Sequence, residues 1–337
     1  MSAPQPQGPS PQLFFETVNA FQKSEALKAA IQLNMFTAIG EGNDTAQKIA
    51  KRCQIAERGA RILCDYLVIN QFLTKTDSRY ALTQDTAVFL DRRSPAYIGE
   101  AIRFLVSPHT QERWQKLTES VRQGATAFDD GLTPDHPMWV DFARGMAPLM
   151  TMPAQALTKL LGIDKPQPLR VLSLAAGHGI YEITVAEQNP KAEVWAVDWP
   201  HVLEVAIENA KAAGVESRYH TIPGSAFDVN FGDGYDLVLV TNFLHHFDVP
   251  TNTTLMRKVQ ACLKPGGRAA ILEFVPNEDR VSPPVAAGFS LVMLAGTPAG
   301  DAYTFSQYQS MLKDAGFRSC EVHPLVPTFF SVVLATK

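Results

Sequence analysis

Residues 169–198 leave a chain of this kind few folds to choose from. Leu169–Leu174 is a short apolar run, and a turn of small residues follows it, Ala175-Ala176-Gly177-His178-Gly179. Ile180–Gln188 has helical periodicity, and a second apolar run over 192–197 ends on Asp198. Strand, glycine turn, helix and a strand tipped by a carboxylate make the first half of a nucleotide-binding βαβ unit. Such a unit needs a parallel sheet with a right-handed crossover, and so most of the following chain must alternate in the same way.

The turn also narrows the ligand. Glycine permits open φ values and close backbone approach, and the following helix start presents free N–H groups. A carboxylate at the tip of the second strand suits a ribose diol. A dinucleotide turn has glycines in a G-x-G-x-x-G pattern, but counting from Ala175 the sixth position here is Ile180. The small-x-Gly-x-Gly spacing is instead that of a turn for S-adenosylmethionine, which has no pyrophosphate to cradle. Gly177, Gly179 and Asp198 are the candidate cofactor residues on this reading.

Downstream the alternation continues. Helices are predicted over 202–213, 252–263, 285–294 and 305–315. Strands are predicted over 217–222, 235–241 and 268–275, with a closing hairpin from 318–323 and 329–335. The run YDLVLVT at Tyr235–Thr241 is almost wholly apolar, as in a strand buried on both faces. The expected class is α/β, with a Rossmann-like, doubly wound, mostly parallel C-terminal sheet.

Upstream, an amphipathic helix is expected over 13–39, followed by short helices over 45–53 and 57–68. A hairpin with Asp77-Ser78 at its turn is expected over 71–82. Three helices and a hairpin form a winged-helix plan. A DNA-binding wing needs a basic footprint, but residues 41–93 carry nine Lys/Arg against seven Asp/Glu. A structural or dimerising role is expected instead, with no nucleic-acid partner. The segment 97–161 is expected to be mostly helical, and its Trp, Phe and Met residues to pack or to line an apolar pocket. The division expected is a disordered leader over 1–12, a dimerisation domain over 13–95, a helical, substrate-lining linker over 96–165 and a catalytic domain over 166–337.

A net charge of −4 gives no broad basic surface for a membrane or for nucleic acid. No apolar run is long enough to span a bilayer, and the Pro/Gln-rich start lacks the features of a signal peptide. The four cysteines form no C-x-x-C pair, which reads as reduced thiols in the cytoplasm.

Taken together, VLSLAAGHG, AVDWPHV, GSAF, NFLHHFD, LKPGGRAAILEFV and FSLVMLAGTPAGDAYTFSQYQSMLKDAGF resemble the class I S-adenosylmethionine-dependent O-methyltransferases of the plant caffeate and bacterial natural-product type. The resemblance spans nearly the whole chain. It implies a homodimer formed through the N-terminal domain, S-adenosylmethionine as cofactor and a small hydroxylated substrate, aromatic or polyketide-like. It also implies His245 as the general base, with His246 beside it, and Glu273 as the acid that orients it. The family's second orienting acid maps to Ala302, so Asp301 or Tyr303 is expected to substitute, and Asp301 is taken as the catalytic candidate. Trp199, Gly224, Ser225 and Phe227 would surround the adenine, and Asn242 would lie at the methionine end. Met146, Met150, Phe289, Met293 and Thr297 are the expected substrate contacts. The chain departs from the family at Ser173 and Ala175, where an acid and a glycine usually open the turn, and at Ser225 and His246, where acids are usual.

The expected chemistry is a direct displacement that asks for no metal. A neutral imidazole, with an ordinary pKa of ~6.5, takes the hydroxyl proton as oxygen attacks the methyl group. C- or N-methylation, or a reaction using the cofactor only as a bound cation, would need no base at His245. A winged-helix regulator would need a basic recognition helix.

Overall fold

The computed structural model describes residues 8–128 and 136–337, so most of the expected leader and part of the expected helical segment lie outside the described residues. The chain divides into two compact units, one ending at Ser107 and one running from Pro108 to Lys337. The stretch 96–165 therefore contributes to both.

In the first unit, α1 (Gln12–Val18), α2 (Ala20–Gln32) and α3 (Met35–Gly40) replace the single helix expected over 13–39. Two asparagines cause the breaks. Asn19 ends α1 and turns its amide onto the Phe15 carbonyl at 2.9 Å. Asn34 takes a left-handed φ of 56°, which asparagine tolerates better than most residues. Thr45 caps α4 (Ala46–Cys53) by accepting from the Lys48 N–H, and α5 (Glu57–Ile69) follows. β1 (Leu73–Thr76) and β2 (Arg79–Leu82) pair from Leu73↔Leu82 to Thr76↔Arg79, which leaves Asp77-Ser78 as the turn. α6 (Gln84–Phe89) and α7 (Ile102–Leu105) complete the unit. Phe36, Met35, Ile49, Leu67 and Leu73 form its core. The aromatic side of α1 and α2, expected to be covered, is open in the single chain: Phe14, Phe15 and Phe21 are 57–63% exposed.

The second unit starts with α8 (Pro108–Gln115), α9 (Leu117–Gln123) and α10 (Met138–Leu161). Then come β3 (Leu169–Leu174), α11 (Ile180–Gln188), β4 (Ala192–Asp198), α12 (Pro200–Ala212) and β5 (Tyr219–Pro223). β6 (Tyr235–Thr241), α13 (Val249–Cys262), β7 (Leu263–Glu273), α14 (Pro284–Gly296), α15 (Phe305–Asp314), β8 (Ser319–Pro324) and β9 (Ser331–Thr336) follow. The seven strands run in the order β5-β4-β3-β6-β7-β9-β8. All neighbours pair in parallel except β9, which is antiparallel to β7 and β8. The doubly wound, mostly parallel sheet is thus present. β7 starts five residues before the expected 268, because Leu263 already pairs with Tyr235 ahead of an irregularity around the Pro265-Gly266-Gly267 turn.

The strands are buried on both faces. Val171 joins the core shared with α10, α11 and α12, while Leu172 and Leu174 join the core shared with α13 and α15. β3 lies where the strand order reverses, between β4 and β6. In open α/β sheets the ligand crevice forms there, outside the carboxyl ends of the strands. Among the described residues no helix is long and apolar enough to cross a membrane.

Candidate active site

One half of the site is the turn after β3. The register Leu174↔Val197 puts Asp198 level with the start of the turn. One Asp198 oxygen accepts the Gly177 N–H at 2.8 Å and the other accepts the Trp199 N–H at 2.7 Å. Burial raises the pKa of this carboxyl, and the two N–H donors pull it back. Gly177 and Gly179 have φ of 57° and 74°, in the region glycine adopts without strain. A Cβ at Gly177 would meet nothing nearer than the Ala175 carbonyl at 3.9 Å, so the backbone there is open to a ligand. At Gly179 a Cβ would press on Ala206 and the Tyr219 hydroxyl, both at 2.9 Å, so this glycine lets α11 seat on the sheet. Asn209 of α12 holds the His178 carbonyl at 2.8 Å. His178 accepts the Ile180 N–H through Nδ1, and burial lowers its pKa to about 4, so it is neutral.

The expected adenine residues gather at the tips of β4 and β5. The Gly224 N–H donates to the Asp198 carbonyl at 2.8 Å, and Ser225 Oγ accepts the Phe227 N–H at 3.1 Å. Phe227 meets Phe247 edge-on at 4.9 Å, and Phe243 meets Phe247 edge-on at 5.1 Å. Trp199 starts α12 and packs with Trp139, Val140 and Ala143. Asn242 lies beyond β6 with a left-handed φ of 52°. Its Oδ1 is a buried acceptor with no partner among the described residues.

The other half lies across the switch point. The β6–β7 register, Thr241↔Leu272, brings Glu273 to the turn that carries the two histidines. Glu273 Oε1 accepts the N–H of Phe243 at 2.9 Å and of His245 at 3.3 Å. Oε2 is 2.6 Å from His245 Nδ1. A carboxylate can only accept, so Nδ1 carries a proton, and in the neutral ring the lone pair is then on Nε2. Glu273 is fully buried and the His245 side chain is 6% exposed. Asn252 holds the Leu244 and Phe247 carbonyls and fixes the turn from α13.

The His246 ring lies tilted beside His245, centroids 4.3 Å apart, and makes no ion pair with a carboxylate among the described residues. Burial lowers its pKa well below the ordinary value, and His245 and Arg113 lower it further. Phe289 meets the His245 ring edge-on at 4.9 Å and is itself stacked on Phe274 at 4.0 Å. A side chain at Gly300 would collide with the His245 carbonyl, so the 297–300 segment lies directly against this turn.

Three expected residues stand elsewhere. Asp301 pairs with Arg280 at 3.1 Å and has no bond to His245. The Tyr303 hydroxyl, pushed up to about 12 by burial, donates to the Phe247 carbonyl. Thr297 Oγ1 donates to the Met293 carbonyl at 2.7 Å and accepts the Gly300 N–H at 2.9 Å, which uses it locally. Met150 Sδ accepts the Tyr181 hydroxyl at 3.3 Å and lies 3.9 Å from Asn242, on the turn side of the crevice. Met293 is buried, and Met146 packs on the core shared with α10. The support from Asn209 and Asn252 had no signal in the sequence, since both lie in ordinary helical periodicity.

Two family descriptions match the chain, an O-methyltransferase domain over residues 111–318 and an O-methyltransferase dimerisation domain over 15–92. The chain is 30% identical to the 3-hydroxy-5-methyl-1-naphthoate 3-O-methyltransferase of Streptomyces sahachiroi, over 91% of this chain and 89% of that one. It is 52% identical to a crystal structure of a proposed O-methyltransferase from Nostoc punctiforme, with a TM-score of 0.94, covering 98% of this chain and all of the other. Human N-acetylserotonin methyltransferase, solved with S-adenosylmethionine, shares the fold at a TM-score of 0.84 and 20% identity over 99% of both chains.

Proposed function

The chain belongs to the O-methyltransferase family, and on that premise we propose that the turn at 177–179 and the His245–Glu273 pair are the two halves of its active site. The enzyme is S-adenosylmethionine-dependent and transfers a methyl group to a hydroxyl. The observation that carries the assignment is the 2.6 Å bond between His245 Nδ1 and Glu273, which in the neutral ring makes Nε2 the basic nitrogen.

The residues of the turn fit the cofactor. Gly177 leaves its backbone open, and Asn242 Oδ1 is a buried acceptor suited to an ammonium or hydroxyl group. When bound there, S-adenosylmethionine supplies an electrophilic methyl group. Asp198 would accept the ribose hydroxyls, and Gly224, Ser225, Phe227 and Trp199 would enclose the base. His245 Nε2 takes the acceptor proton as the oxygen becomes nucleophilic. Glu273 keeps the imidazole in the productive tautomer and offsets its charge once protonated. A phenol with a pKa of ~10 is a weak nucleophile until that proton leaves. Phe289 and Met293 border the acceptor side, and an aromatic ring lying flat against them is the acceptor we expect. A hydroxylated aromatic or polyketide-like metabolite fits both this wall and the hydroxynaphthoate in the relative's name.

We also assign the exposed aromatic side of α1 and α2 to a homodimer, in keeping with the dimerisation domain over 15–92. The four free cysteines support a reducing, cytoplasmic setting.

The test pairs two variants on a panel of hydroxylated naphthoates and simpler phenols. His245→Ala should lower kcat by ~10²–10⁴-fold, the usual range for a general base, and leave S-adenosylhomocysteine binding intact. Asp198→Ala should instead weaken that binding. An unchanged kcat in His245→Ala would overturn the base assignment.

A further inference from the structure

A second buried carboxyl lies in the cofactor half of the site and has no part in the steps above. Glu182 is the third residue of α11 and is fully buried. It lies close to Ser173 of β3 and acts on Tyr219 of β5, and both of these are also buried. Neither Glu182 oxygen has a hydrogen-bond partner among the described residues, and neither do the Ser173 and Tyr219 hydroxyls. A buried polar group without a partner is costly, and here three such side chains lie together. The cluster lies under the turn, because the Tyr219 hydroxyl is also the atom a Cβ at Gly179 would meet at 2.9 Å.

The charged and titratable surroundings are few. Asp198 approaches from β4, its carboxylate already bonded to the turn. His178 and Tyr181 belong to the same turn and helix start. His201 of α12 acts on Asp198. Otherwise α10 and α12 face this layer with apolar side chains such as Leu157, Leu203 and Ala206.

We propose that Glu182, with Ser173 and Tyr219, is a positioning group for the cofactor turn that works in its protonated form, so that cofactor affinity is tied to one proton on this carboxyl. A neutral acid can share hydrogen bonds with two hydroxyls. A carboxylate would put a second negative charge beside Asp198, with only the Ser173 hydroxyl and its own backbone N–H close enough to offset it. The electrostatics agree. Burial pushes the Glu182 carboxyl up to about 7, the Ser173 hydroxyl and the Glu182 N–H beside it pull the other way, and the nearby Asp198 charge adds a smaller push upward. Ionisation in the slightly alkaline range then strains the layer on which Gly177 and Gly179 rest. The inference rests on the cofactor assignment of the turn made above.

The test is calorimetric titration of the full chain with S-adenosylhomocysteine from about pH 6 to about pH 8.5, in two buffers of different ionisation enthalpy. In the wild type the Kd should rise about fivefold or more across this range, with a fraction of a proton taken up on binding at about pH 7.5. Glu182→Gln, an uncharged mimic of the acid, should bind with a flat profile and no linked uptake. Should that variant fail to fold, the two-buffer measurement on the wild type still decides, because zero proton uptake would overturn the proposal. So would a Gln variant that keeps the wild-type profile. Binding without pH dependence removes this inference alone. No binding at any pH removes the cofactor assignment and this inference together.

Discussion

Glu273 and Glu182 are both fully buried in the same unit, on either side of the switch point. Glu273 accepts two backbone N–H groups and a histidine ring. Glu182 has no partner for either oxygen among the described residues. A buried carboxylate is tolerated where donors converge on it and is otherwise driven to take a proton. The first has three donors converging on it beside the candidate base. The second is built to stay neutral under a turn that already carries Asp198. The contrast teaches that burial alone does not assign a carboxyl its role; the donors around it do.

The strongest way to break the comparison is to remove the partnered acid. Glu273→Ala would orphan two N–H groups and free the imidazole to turn. The expected result is a loss of about 3 kcal/mol in stability, seen as a lower denaturation midpoint, together with a kcat reduced ~10²-fold or more. A variant as stable and active as the wild type would show that Glu273 is no more needed than Glu182. A smaller effect is expected at Glu182, where the sign runs the other way. Its folded-state pKa, about 7, lies above the ordinary glutamate value of 4.5, so the folded chain holds a proton that the unfolded chain releases. Its contribution is complete below about pH 4.5 and is lost as pH rises through about 7, by ~3 kcal/mol at most. Thermal unfolding should show Glu182→Gln gaining on the wild type between about pH 5 and about pH 8; parallel curves would contradict this. The least effect is expected at Asp301, whose carboxylate is spent on Arg280. Asp301→Asn should leave kcat within about twofold, as for most changes at a half-exposed ion pair. A large fall would bring it back beside Glu273 as a second acid.

Much of this was legible in the residues, and for identifiable reasons. The βαβ unit, the alternation after it and the Asp77-Ser78 hairpin rest on periodicity and turn chemistry, which act within a few residues. The long N-terminal helix was misread because its apolar spacing carries across Asn19 and Asn34, while asparagine side chains and a left-handed φ end the helices. For Thr297, expected at the substrate, spacing gives no sign that its hydroxyl bonds within its own segment, to the Met293 carbonyl and the Gly300 N–H. The sequence offered two adjacent histidines, and only Glu273, 28 residues downstream, distinguishes them by bonding His245.

By itself, then, the sequence determined the class of sheet, the glycine turn and the carboxylate at the tip of β4, because each is a local pattern with one compatible geometry. The tertiary structure decided which buried acid has donors converging on it, which histidine is oriented and which cation Asp301 pairs with. Those outcomes depend on which donors the strand register and helix packing bring within hydrogen-bond reach, and no spacing along the chain encodes that.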